Sequence, residues 1–369
     1  MLGGVDLLFD EAEIEVLSLC AWCKDLPIRN SRNIPAEILE VLQFLGLIRH
    51  SRNGLGYRCT PKGYEVLGMA GKEYVQDKSY RSDCDVLERR YQTAEITSFF
   101  WRYGADVFCN NAPGSISNNI FLPSFALRRQ KHANILGGTK LMGFYYSKEI
   151  TFIPYYITAD NNGIYTDVEQ RTFMAETLRC GKTTHIIYTG EGDLVDIINF
   201  VECQKERSRK VTTDYYIDAL YKFDCPKSII PLTDDGMRQL RILEIQNYRE
   251  VIAKNILGKR YSSPINEHSD GRSQTEEIIV GIDCNIARIK EATKSKVKTS
   301  IFVLPFQAEA IQRIVKDSNS QCYVLNLEET EEYLSIPHEL PDINREPFQT
   351  EKGDYIYVPT TWNNKKVRR

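Results

Sequence analysis

Long apolar runs are missing from this chain. No stretch of its 369 residues approaches the roughly 20 apolar positions of a membrane-crossing helix, so no membrane partner is expected. The first residues, MLGGVDLLFDEAEIEVL, lack the basic start of a signal peptide, and the expected compartment is the cytoplasm. An excess of charge is missing as well. The 47 Lys and Arg nearly balance the 50 Asp and Glu, leaving −3, so any nucleic-acid surface must be a local patch. Histidine is scarce: five residues, widely dispersed, from which no Ser/His/Asp arrangement can be inferred. His185 falls on an apolar strand pattern and is expected to be a satisfied core histidine. The only C-x-x-C, Cys20-Ala21-Trp22-Cys23, lies in a helical pattern, and no second pair or H-x₃-H completes a zinc site. Ten cysteines scattered over so long a chain do not resemble a secreted disulfide framework, and free thiols are expected. Glycine-rich phosphate loops are incomplete. Gly181-Lys182-Thr183 lacks the earlier P-loop glycine, with Glu176 in its place, and is expected to be a turn before a strand. Gly190-Glu191-Gly192 lacks the third dinucleotide glycine, where Val195 stands. No cofactor, no metal and no catalytic residue is expected.

What is present is a chain with 42% hydrophobic residues, enough to bury real cores. Residues 10–24 carry Ile14, Leu17 and Ala21 at helical spacing, with Glu11 and Glu13 where a helix dipole favours negative charge. A polar connector, residues 25–33, leads to a second helix over 35–45, with Pro35 suited to its first turn and Ile38, Leu42 and Leu45 as its buried stripe. Residues 49–59, RHSRNGLGYRC, hold Asn53-Gly54, a strong hairpin dipeptide. Thr60-Pro61 then caps and opens a third helix. Helix, helix, hairpin, helix is the order of a winged-helix domain, expected over residues 1–72. Its usual reading helix carries Glu37 and Glu40 and no basic side chain, which suits phosphates poorly. The flanks are basic, so the expected DNA contacts are Arg29 and Arg32 before that helix and Arg49, Arg52, Arg58 and Lys62 after it. A module that docks only onto protein is the competing expectation.

Residues 73–110 are expected to form a linker and one long helix, residues 86–107, with Ile96, Phe99, Phe100 and Tyr103 on one face. That face suits packing against the winged helix or against a second subunit, which makes a homodimer an expectation. Residues 110–119, NNAPGSISNN, are loop-like, and residues 125–140 hold Arg128, Arg129, Lys131, His132 and Lys140 with no acid. Arg128, Arg129 and Lys131 are expected to extend the phosphate footprint. From Leu141 onward strand-like and helix-like runs alternate, the pattern of a mainly parallel α/β domain. An α/β domain over 111–260 and a second α/β subdomain over 275–369, ending in the basic tail NNKKVRR, are expected, divided at the polar loop 261–274.

The stretches GLIRHSRNGLGYRCTPKGYEVL, GGTKLMGFYYSKEITFIPYYI, THIIYTGEGDLVDIINF and SIIPLTDDGMRQLRIL resemble the replication-relaxation family of plasmid and conjugative-element proteins, over about residues 10–245. The resemblance implies a non-enzymatic protein that binds double-stranded DNA in plasmid replication or conjugative transfer, with a relaxase or replication initiator as a partner. The enzyme alternative is a Mg²⁺-dependent restriction-type nuclease, for which Asp160, Asp167, Glu169 and Arg171 are the nearest candidates. Arginine stands there where that chemistry wants lysine, and it serves poorly as a base.

Overall fold

The structure, a computed structural model, describes residues 7–28, 33–51, 54–74, 84–109, 118–129, 139–158, 169–172, 175, 180–202, 224–294, 297–316 and 318–358. They divide into two compact units: residues up to 104 together with those from 341 onward, and residues 105–340. The fold is α/β.

The first unit is built around one buried helix. Strand β1 (Leu7–Leu8) leads into α1 (Glu11–Cys23), which is capped reciprocally: Glu13 N donates to Asp10 Oδ1 at 2.7 Å, and Asp10 N to Glu13 Oε2 at 3.0 Å. Almost every residue of α1 is buried. Strand β2 (Leu26–Pro27), α2 (Ala36–Phe44), the hairpin β3 (Ile48–His50) and β4 (Gly56–Cys59), and α3 (Pro61–Met69) follow. They form a three-stranded antiparallel sheet in the order β2-β4-β3, with helices α1, α2 and α3 beside it. The connector expected over 25–33 thus holds a short strand. Thr60 caps α3 by accepting from Gly63 N at 3.2 Å, and its hydroxyl donates to Gly46 O at 2.8 Å. Helix α4 (Cys84–Arg102) packs on α1 and β2.

Residues 341–358 belong to this unit rather than to a C-terminal α/β subdomain, and backbone chemistry explains why. A helix leaves its first N–H groups without intrahelical acceptors. Here Glu11 N donates to Glu346 O (2.9 Å) and Ala12 N to Asn344 O (3.0 Å), while the strand Tyr357–Val358 pairs with β1. Phe348 and Ile356 are buried at 6% and 4% exposure, so the segment also adds apolar core.

The second unit holds two mixed sheets. The first contains β5 (Ile120–Pro123), then α5 (Ser124–Arg129), β6 (Gly143–Tyr146), β7 (Ile150–Ile157), β8 (Thr183–Gly190), α6 (Leu194–Glu202) and β9 (Lys227–Ile229). Its strands lie in chain order, β5-β6-β7 antiparallel and β7-β8-β9 parallel. The expected mainly parallel sheet is therefore half antiparallel. The meander arises because Ile120–Pro123, next to a loop-like segment, pairs with Gly143–Tyr146. Tyr145, Tyr146, Tyr155, Tyr188, Phe121 and Phe152 fill the core, each at most 2% exposed. Helices α7 (Asp234–Leu243) and α8 (Tyr248–Leu257) lead to β10 (Gly271–Arg272), β11 (Glu276–Val280), α9 (Ile286–Thr293), β12 (Lys298–Val303), α10 (Ala308–Val315), β13 (Ser320–Val324) and α11 (Leu327–Tyr333). The second sheet runs β10-β11-β12-β13, with only the first junction antiparallel. A buried amide joins the sheets, and a second one shares its acceptor. Gln239 Nε2 donates to Ile229 O (2.9 Å) and Ile282 O (2.7 Å), and Gln307 Nε2 also donates to Ile282 O, at 2.8 Å.

Candidate nucleic-acid interface

The hairpin β3–β4 presents Arg49 and His50, both exposed. Its register sets Arg49 directly opposite Arg58, an arrangement of like charges that costs stability unless one is neutralised. Arg58 is neutralised. Its Nε lies 3.5 Å from Asp25 Oδ1 and 3.4 Å from Lys24 O, and its side chain is only 14% exposed. Arg90 approaches the same carboxylate at 3.4 Å. Arg58 therefore holds the fold together rather than standing free for a phosphate, a correction to the expected contact set. Arg49 is exposed, and Lys62 is half-buried. On the neighbouring rung His50 stacks on Tyr57, ring centroids 4.9 Å apart. Gly54 takes φ +72°, the left-handed conformation that the turn requires.

Helix α2 turns another chemistry outward. Glu37, Glu40 and Gln43 are exposed, and Phe44 is 82% exposed. Its N-terminus has no side-chain cap. Near the hairpin turn Leu55 is 61% exposed. Arg29, Arg32, Arg52 and Lys131 lie outside the described residues, as do the side chains of Arg128 and Arg129 at the end of α5.

The apolar face of α4 is not free. Ile96, Phe99, Phe100, Trp101 and Tyr103 are at most 8% exposed, and Trp101 Nε1 donates to Glu15 Oε2 at 2.8 Å. This helix packs within its own unit, so its apolar face is no dimer surface.

Among the enzyme candidates, Glu169 is occupied by structural work. Glu169 is fully buried and accepts from Tyr155 Oη at 2.7 Å and Lys140 N at 2.5 Å. Burial, with the Glu169 charge beside it, pushes the Tyr155 phenol well above its ordinary range. Asp160 and Asp167 lie outside the described residues, and Arg171 is exposed. Lys182 is 7% exposed and donates to Ser147 O (2.6 Å) and Asn118 Oδ1 (3.0 Å), so Gly181-Lys182-Thr183 opens a strand. The turn before α6 is closed by acids: Asp196 N donates to Asp193 Oδ1 at 3.0 Å, and Asp193 N to Asp196 Oδ2 at 3.2 Å. Carboxylates on those donors leave no place for a phosphate. Cys20 and Cys23 are buried in α1, and burial holds the Cys20 thiol far above its usual pKa.

His185 lies in the core of the second unit, with Nε2 2.7 Å from Ser228 Oγ and its ring 5.0 Å from that of Phe152. Burial and the Arg249 charge lower its pKa to about 3, against an opposing pull from Asp283, so it stays neutral. Behind it lies a cluster with no sequence signal, because its members are far apart in the chain. The buried Asp283 takes Arg249 and Arg288, and Arg288 also donates to Asp270 Oδ2 (2.9 Å) and Val280 O (2.6 Å). Burial alone would raise the Asp283 carboxyl; the two arginines outweigh it and hold it below the usual range. Each of these charges has its counter-charge, so the cluster ties β11 to α8 and α9. No protein-family model, curated protein or solved structure matches this chain.

Proposed function

We propose that this chain binds duplex DNA through the hairpin of its first unit, which we take as a winged-helix domain. The observation that carries the reading is the element order α1-β2-α2-β3-β4-α3 around a three-stranded antiparallel sheet, with Arg49 exposed on the hairpin; in the sequence Arg52 falls between the two strands. The hairpin grips phosphates, and the acidic α2 contributes little to that grip. Following the resemblance to the replication-relaxation family, the DNA belongs to a mobile element. The second unit then recruits a relaxase or replication initiator. Fluorescence anisotropy on a labelled duplex at two salt concentrations tests this. Replacing Arg49 and Arg52 by Ala should weaken binding and flatten the salt slope by about 0.9 per lost phosphate contact. No binding at low salt overturns the reading.

The exposed Glu37, Glu40 and Phe44 favour a second reading, in which α2 docks onto a cationic, partly apolar protein surface. It predicts a protein complex that Phe44→Ala weakens while DNA binding is unchanged.

A further inference from the structure

We infer that β13 is a dimerisation edge, on which a second copy of this chain adds its own β13 antiparallel about a twofold axis. Among the described residues β13 pairs on one side only, with β12. The opposite edge strand of this sheet, β10, is two residues long and is bridged by Ser262. Leu325 N donates to Val303 O at 2.8 Å, which fixes the phase of the parallel ladder. Gln321, Tyr323 and Leu325 direct their backbone groups to β12. Ser320, Cys322 and Val324 direct theirs outward. Such a row is a template for another strand unless charge, proline or a bulge guards it. Residues 320–325, SQCYVL, contain neither charge nor proline, and Tyr323 and Val324 are 40% and 54% exposed. A groove of about 380 Å³ runs beside the strand, between it and Gln312, Val315 and Lys316 of the α10 end.

Symmetry and charge select a second copy as the occupant. The outward residues number an odd set centred on Cys322, so on a twofold axis Cys322 faces its own copy and Ser320 faces Val324. Each facing pair exchanges two backbone hydrogen bonds, and no outward residue is left unmatched. The intervening positions set Tyr323 beside Gln321 of the copy, a neighbour to which it already donates within its own strand, at 2.6 Å. Antiparallel pairing also brings the start of one strand to the end of the other. Exposed Lys316, followed in the sequence by Asp317, precedes the strand, and exposed Glu328 and Glu329 follow it, so the antiparallel register directs Lys316 of one copy toward Glu328 of the other. The two four-stranded sheets become one continuous sheet. The inference stands apart from DNA binding, which a single chain can perform.

Sedimentation equilibrium of the full chain is the test. The expected mass is twice 42.5 kDa. Val324→Pro removes an outward N–H without breaking an intrachain bond, and it should raise the dimer dissociation constant about tenfold or more. Val324→Lys should do the same with less demand on the backbone, and either variant is judged with an unchanged circular-dichroism spectrum. Lys316→Glu should weaken the dimer, and Lys316→Glu with Glu328→Lys should restore it. A short thiol crosslinker should join Cys322 to Cys322 between chains, about 5.5 Å apart at Cα in a hydrogen-bonded pair. A chain monomeric at every concentration overturns the inference, even if it takes up a foreign strand. So does a dimer unaffected by both Val324 variants.

Discussion

Acidification should destabilise the second unit through His185. In the fold this imidazole has a pKa of about 3. In the unfolded chain it returns to about 6.5. The folded value is the lower one, so between these two pH values the unfolded chain binds a proton that the folded chain does not. Stability is fully present above pH 6.5 and falls as the pH drops, by about 1.36 kcal/mol per pH unit. At pH 4.5 the loss relative to pH 8 is about 2.7 kcal/mol, a large part of an ordinary domain's stability. The control is His185→Gln, whose amide can still meet Ser228 Oγ but takes no proton. Carboxylates titrate in both proteins and cancel in the comparison. Hydrogen exchange of β8 in a urea series at pH 4.5 and 7.5 measures the difference, and the His185 ring resonance reports its protonation directly. Equal pH slopes in the two proteins, or a ring that titrates near pH 6.5 in the native state, would refute the reasoning.

Three further perturbations separate packing from surface. Gly236→Ala, in the first turn of α7, would drive a Cβ into Pro231 O, so an expressed variant should melt well below the parent, whereas Thr233→Ala should cost only about 1 kcal/mol by loss of the cap. Arg238→Ala should cost about 2 kcal/mol, because the fully buried Glu331 loses bonds of 2.8 and 2.6 Å and keeps His338 Nδ1, at 3.0 Å; faster exchange in α7 and α11 is the readout. Deleting residues 341–369 strips the acceptors from Glu11 N and Ala12 N, so the environment of Trp22 and Trp101 should loosen in fluorescence; an unchanged spectrum and melting curve would contradict the assignment of that segment to the first unit.

Local chemistry made much of the fold legible in the sequence. Thr60-Pro61 announced a helix start, Asn53-Gly54 a hairpin, and the alternation from Leu141 onward an α/β domain, because caps, turns and periodicity depend on residues within a few positions of one another. His185 was legible as a core residue for the same reason. Distant pairing was not. Ile120–Pro123, given no element in the sequence, becomes a strand only when Gly143–Tyr146 supplies the ladder beside it, and Leu26–Pro27 only against Gly56–Tyr57. Arg58 and Arg49 look alike in sequence; Asp25, more than thirty positions from Arg58, makes one a structural ion pair and leaves the other exposed. The apolar face of α4 suits either the winged helix or a second subunit until α1 and β2 are seen to cover it, and the open edge of β13 emerges only when β12 is seen to pair on one side. The sequence by itself determined most of the helices, the hairpin and the strands of the α/β alternation, and the scarcity of metal and phosphate motifs. Only the tertiary structure decided which charges are neutralised, which faces are spent and which edge stays open, because each depends on a contact between residues far apart in the chain.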